Sequence, residues 1–141
     1  MSKKINTTQD EIIEEFSILN DWFDKYEYLI NRGKSLESMD EKLKSEKNSI
    51  SGCQSQVWIK AEMRDERIHY LADGDSLIIK GMISLLLRVL NNQFPEDIVN
   101  SDLYFIDKID LNSNLSPARV NGLMSIVKQI KSSAEVANTI S

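Results

Sequence analysis

The sequence predicts an α+β domain: a small antiparallel β-sheet of about three strands, packed by N-terminal, central and C-terminal helices. Three observations predict it. Two short runs, Val57-Trp58-Ile59-Lys60-Ala61-Glu62-Met63 and Ile68-His69-Tyr70-Leu71-Ala72, alternate apolar and polar residues around Arg64-Asp65-Glu66-Arg67, as a β-hairpin does. Before them, apolar residues recur at helical spacing. After them comes a stretch, residues 77–91, too apolar for a surface helix.

The first helix is expected to open at Thr8, with Glu11 completing a capping box. Ile12, Phe16, Leu19, Phe23, Tyr26 and Ile30 form its apolar face. Asn20-Asp21 divides the stretch in two, Asp21 capping the second half, and Gly33 is the expected stop. Residues 34–48 are polar and aperiodic and read as an exposed connection with one helical turn. Asn48-Ser49-Ile50 supplies the third short strand. Asp75 or Ser76 caps the apolar helix, whose only wet strip is Lys80, Ser84, Arg88 and Asn91. Phe94-Pro95 starts a short helix. Ser116-Pro117 starts the last one, with Leu115 stapled to Val120 and Leu123, Ile126, Val127 and Ile130 buried.

The chain has 141 residues and a formal net charge of −5, with 41% hydrophobic and 28% charged residues. That suits one domain, residues 1–141, with residues 1–8 and 134–141 as flexible ends. The acidic balance argues against nucleic acid, which needs clustered Lys and Arg. No run approaches the ~18 apolar residues of a membrane span, so no membrane is expected. Met1-Ser2-Lys3-Lys4-Ile5-Asn6 has no apolar core of the kind a secretory signal carries. One cysteine and one histidine exclude an internal disulfide and a Cys/His metal cluster. A free thiol without a secretion signal points to the reducing cytoplasm.

That cysteine, Cys53, sits in Asn48-Ser49-Ile50-Ser51-Gly52-Cys53-Gln54-Ser55-Gln56-Val57-Trp58. A lone cysteine is ordinarily a small buried hydrophobe. Here Gly52 frees the backbone for close approach by another molecule, and the flanking residues are polar. No basic residue lies within five positions, so local sequence supplies nothing to activate the thiol. A redox pair would need a resolving cysteine, and the chain has none. Transfer of sulfur between proteins needs a single reachable thiol and nothing more from its own chain.

The segment resembles the active-site stretch of the SufE-type sulfur acceptors of iron–sulfur cluster assembly. The family pattern Asn-x-Ile-x-Gly-Cys-Gln-Ser-x-Val-Trp is met by Asn48, Ile50, Gly52, Cys53, Gln54, Ser55, Val57 and Trp58. The resemblance extends over roughly residues 10 to 133. It implies an α+β fold shared with NifU-type scaffold domains. It further implies that Cys53 takes persulfide sulfur from a pyridoxal-phosphate (PLP) cysteine desulfurase of the SufS type, stimulates that enzyme, and passes the sulfur to a SufBCD-type scaffold. The chain is then an accessory protein with no bound cofactor of its own, the pyridoxal phosphate belonging to the partner, and a monomer or weak homodimer. Gly52, Gln54, Ser55, Asp75 and Arg119 are the partner-facing positions. Two other readings stand beside this one: a binding module in which the cysteine is incidental, and a cysteine hydrolase or transferase using His69 as base. Trp58 is expected to pack in the core or border the loop.

Overall fold

The computed structural model of the chain describes residues 4–51 and 55–140, the side chains of Asn112 and Ile140 excepted. Two helices come first, α1 (Ile5–Ser17) and α2 (Trp22–Ser35). The hairpin follows as β1 (Val57–Arg64) and β2 (Arg67–Gly74), then α3 (Leu77–Leu90). Short helices α4 (Pro95–Val99), α5 (Phe105–Lys108) and α6 (Leu111–Asn114) lead to the long α7 (Pro117–Ile140).

The α+β architecture is as expected, with one difference in the sheet. Among the described residues it has two strands, β1 and β2, in continuous antiparallel register from Val57↔Gly74 to Arg64↔Arg67. The expected third strand contributes a single bridge, Ser49↔Trp58. The chain just before it is coiled into a tight turn, Glu46–Asn48, which keeps Asn48 out of the sheet. The hairpin turn holds Asp65 and Glu66 at φ 51° and 69°, the left-handed pair that matches strand twist.

Helix α3 is the centre of the core. Ile79, Met82, Ile83, Leu86 and Leu90 are all buried, each such side chain contributing about 1.5–3 kcal/mol. The wet strip falls where the periodicity put it: Lys80, Ser84, Arg88 and Asn91 are half-buried. Helix α2 crosses α3 at two glycines. A Cβ on Gly33 would run into the Leu77 carbonyl, and one on Gly81 into the Leu29 carbonyl. Gly33 is therefore a packing residue inside α2, which runs two residues further, and not its stop.

Helix α1 starts at Ile5, ahead of the expected capping box. Thr8 lies in its first turns, buried, with its hydroxyl donating to the Lys4 carbonyl (3.3 Å). Asp21 caps α2 by accepting from the Asp24 N–H (3.0 Å). The break between the helices resets the helical phase, so Phe23 points outward, 75% exposed, although the spacing placed it on the buried face. The positions expected as ends, 5–8 and 134–140, lie in α1 and α7, and Ala134 is fully buried. The Tyr70 hydroxyl donates to the Ile130 carbonyl (2.8 Å), fastening β2 to α7. No helix among the described residues is long and apolar enough to cross a membrane.

Candidate functional site

The candidate cysteine, Cys53, lies with Gly52 and Gln54 outside the described residues. What surrounds them is the stem of a short connection, residues 51–56. The Ile50 N–H donates to the Val57 carbonyl (2.9 Å), and the Gln56 side-chain amide donates to the Ser49 hydroxyl (2.7 Å). The Asp75 N–H donates to the Gln56 carbonyl (3.2 Å), joining the stem to the turn ahead of α3. These bonds fix both ends of the connection at one end of the hairpin.

Ser55 is half-buried at this stem, and Asp75 is exposed beside it. Leu77, in the first turn of α3, is 41% exposed. Ser76 caps that helix, accepting from the Ile79 N–H (3.5 Å). Arg119 is exposed in the first turn of α7, its N–H donating to Ser116 (3.3 Å). The far end of α7 meets the hairpin tip, where Asn138 lines a hollow with Met63 and Glu66. Arg119 sits at the opposite end of the same helix.

Sequence reasoning missed a charged cluster beneath the stem. Asp73 faces Trp58 across the hairpin and is only 3% exposed. Its carboxylate accepts from the Met39 N–H (3.1 Å) and the Gly74 N–H (2.8 Å). Lys44 lies 3.3 Å from it and Lys80 3.6 Å. Burial pushes the Asp73 carboxyl up, but the two backbone N–H groups and the Lys44 ammonium outweigh it and hold the group below the usual carboxylate value. Lys44 also sits 5.4 Å over the Trp58 ring. Trp58 is half-buried and carries this cation, outside the main apolar cluster. The connection 34–48 is thus tied down at Met39 and Lys44 and not merely exposed. Only the acid in Ala72-Asp73-Gly74-Asp75 hinted at the cluster; its lysines come from distant sequence.

His69 is brought nowhere near the stem. It pairs with Glu62 in the register, five residues from Gly74 at the stem, or about 17 Å along the strand.

The comparisons with known proteins agree over nearly the whole chain. Residues 10–134 match the family model described as SufE, Fe-S metabolism associated domain. An uncharacterized SufE-like protein of Rhizobium meliloti is 34% identical over 134 residues, covering 92% of this chain and 96% of its own. An uncharacterized SufE-like protein of Synechocystis is 37% identical over 124 residues, covering 88% and 78%. The solution structure of a hypothetical protein from Thermus thermophilus superposes with a TM-score of 0.77 at 16% identity, over 94% of this chain and 96% of that one, and shows the shared fold. The chain belongs to the SufE family of Fe-S metabolism proteins.

Proposed function

We propose that this protein carries sulfur on Cys53 between a PLP-dependent cysteine desulfurase of the SufS type and a SufBCD-type iron–sulfur scaffold, and stimulates the desulfurase. The observation that carries the reading is the Asn48–Trp58 motif lying within the family match, with Cys53 as its only thiol. The Cys53 thiolate attacks the outer sulfur of the desulfurase persulfide. A new S–S bond forms, the donor's S–S bond breaks, and the donor cysteine leaves as a thiolate. Cys53 then holds a persulfide, which an acceptor thiolate takes in the same way. No oxidant or reductant is consumed, so one cysteine is sufficient. The pyridoxal phosphate and the acid–base groups belong to the desulfurase, and this chain holds no cofactor.

Gly52, Gln54, Ser55, Asp75 and Arg119 face the desulfurase in this reading. The anchored stem supports it, because it carries Asp75 and Ser55 next to the cysteine segment. The reducing cytoplasm suits a thiol that must stay free.

Intact mass after incubation with a cysteine desulfurase and free cysteine tests the proposal. A gain of one sulfur atom is expected, removed by dithiothreitol and missing in Cys53→Ser. Stimulation of the desulfurase is expected to be lost in the same variant. A wild-type protein that gains no sulfur, or a Cys53→Ser variant that stimulates fully, overturns the reading in favour of a binding module.

A further inference from the structure

A cavity of about 490 Å³ lies between the end of α2, the connection behind it, β2 and α3. The outer edge of β2 supplies one wall. The Asp75 N–H donates to the Gln56 carbonyl, so these two form a hydrogen-bonded pair at the base of the hairpin. Counted in twos from there, Ala72, Tyr70 and Ile68 turn their N–H and C=O groups away from β1. The Ile68 N–H donates to the Gln93 carbonyl and its carbonyl accepts from Asn92, while the Tyr70 N–H donates to the Asn91 side chain. The Tyr70 carbonyl and both main-chain groups of Ala72 have no partner among the described residues. Tyr70 and Ala72 are nonetheless buried, 1% and 4% exposed.

Arg32 reaches the same cavity from α2. Its Nε is buried and has no hydrogen-bond partner among the described residues. Its charge acts on Glu15 through space, but that carboxylate already accepts from Arg88 and Tyr28. Arg88 lines the cavity too, with its own charge met by Glu15. One guanidinium and one strand edge are thus left over on facing walls, and buried polar groups are rarely left so. Leu36, Leu43 and Leu87 add an apolar wall, which water alone would not favour. Glu37 and Asp40 stand exposed at the mouth. The volume is in the range of small-molecule sites, roughly 300–1,000 Å³.

We propose that this cavity binds a free α-amino acid with an apolar side chain. The carboxylate is held by the Arg32 guanidinium and the Ala72 N–H. The ammonium donates to the Tyr70 and Ala72 carbonyls, with the acids at the mouth adding attraction. The side chain rests against the leucines. Charge decides between this ligand and simpler ones. A plain anion such as phosphate would satisfy Arg32 but would meet two buried carbonyls, which repel it and stay unpaired. A plain amine would satisfy the carbonyls and leave the guanidinium without a counter-charge. Only a zwitterion, with both charges a few bonds apart, completes both walls. Ser84, half-buried on the α3 wall, lies within the same cavity. It has no hydrogen-bond partner among the described residues, and it offers a further donor to the ligand. The site uses neither Cys53 nor any residue of its motif, so it stands apart from the sulfur-carrier reading.

Titration of the 15N-labelled full chain with L-leucine and L-methionine, followed by amide chemical shifts, tests this. The Ala72 amide is expected to move with a dissociation constant on the order of 1 mM, as befits a ligand of so few atoms. N-acetyl-leucine lacks the ammonium and leucine amide lacks the carboxylate, and each is expected to bind at least tenfold more weakly. Sodium phosphate is expected to leave the Ala72 amide in place. Arg32→Met removes the counter-charge and Ser84→Leu fills the cavity. Each is expected to weaken leucine binding at least tenfold with circular dichroism unchanged, and the analogue series on the wild type decides the matter should either variant unfold. A wild type that shows no shift at about 20 mM leucine overturns the proposal and leaves the cavity to water. Phosphate binding as well as leucine would make this a plain anion site, and N-acetyl-leucine binding as well would make it a site for the carboxyl end of a peptide; both overturn it. Folded variants that bind leucine undiminished overturn it as well.

Discussion

Asp73 has four donors or cations around one carboxylate, and nearly no water. Replacing it with asparagine removes the charge facing Lys44 and Lys80 and turns an NH2 group toward one of the two backbone N–H donors. Hydrogen bonds to charged groups are worth about 1.5–3 kcal/mol, so Asp73→Asn is expected to cost about 2–3 kcal/mol. For a domain of this size that lowers Tm by roughly 5–10 °C at neutral pH. Thermal unfolding followed by circular dichroism reads it, and a loss under about 2 °C would show the cluster to be incidental. The same residue shows what local sequence conceals. The family was legible because the Asn48–Trp58 motif is contiguous. The role of Asp73 was not, because Met39 and Lys44 reach it from some thirty residues upstream through tertiary packing alone.

Helices α2 and α3 approach closely because each lacks a side chain where they cross. Gly81→Ala sets two effects against each other. In an exposed helix the change would stabilise by up to about 1 kcal/mol through helix propensity. Here the new methyl meets the backbone carbonyl of Leu29, which cannot swing aside as a flexible side chain would. Forced overpacking costs about 1–3 kcal/mol, so a net destabilisation is expected, read as a lower urea midpoint with unchanged slope. A raised midpoint would mean that the crossing is loose. Gly33 explains one misjudged boundary: a glycine near the end of a periodic run looks like a stop, whereas the partner helix dictated it. Period-two and period-3.6 patterns identified the hairpin, α3 and α7, since each buries a face the sequence must encode. Thr8 and the third strand failed for another reason. Cap chemistry at Thr8 lost to the burial of Ile5, Thr8 and Gln9, which pulls the helix start back to Ile5. The pairing of Ser49 and Ile50 stops where the backbone turns into the 51–56 connection.

Across the whole molecule, one carboxylate joins the helices α1, α2 and α3. Glu15 on α1 accepts a two-pronged pair from Arg88 on α3 (2.9 and 2.6 Å) and the Tyr28 hydroxyl from α2 (2.6 Å). The Arg88 bond is the largest influence on its carboxyl; burial opposes it, the Tyr28 bond reinforces it, and the group falls from the usual 4.5 to about 2. Asp73 is shifted in the same direction. A carboxyl depressed in the folded state binds protons more readily in the unfolded chain. Its contribution is therefore complete above the unfolded value near 4.5 and disappears as pH falls toward 2. Stability is expected to be level with respect to these two groups above about pH 5 and to decline steeply below it. Glu15→Gln isolates one of them: the gap between wild type and variant in urea midpoint should be widest above pH 5 and close by about pH 2. Since Glu15 remains 38% exposed, added salt is expected to narrow the gap at neutral pH. A gap that persists unchanged at pH 2 would mean that the packing of Tyr28 and Arg88, and not the charge on Glu15, holds the helices together.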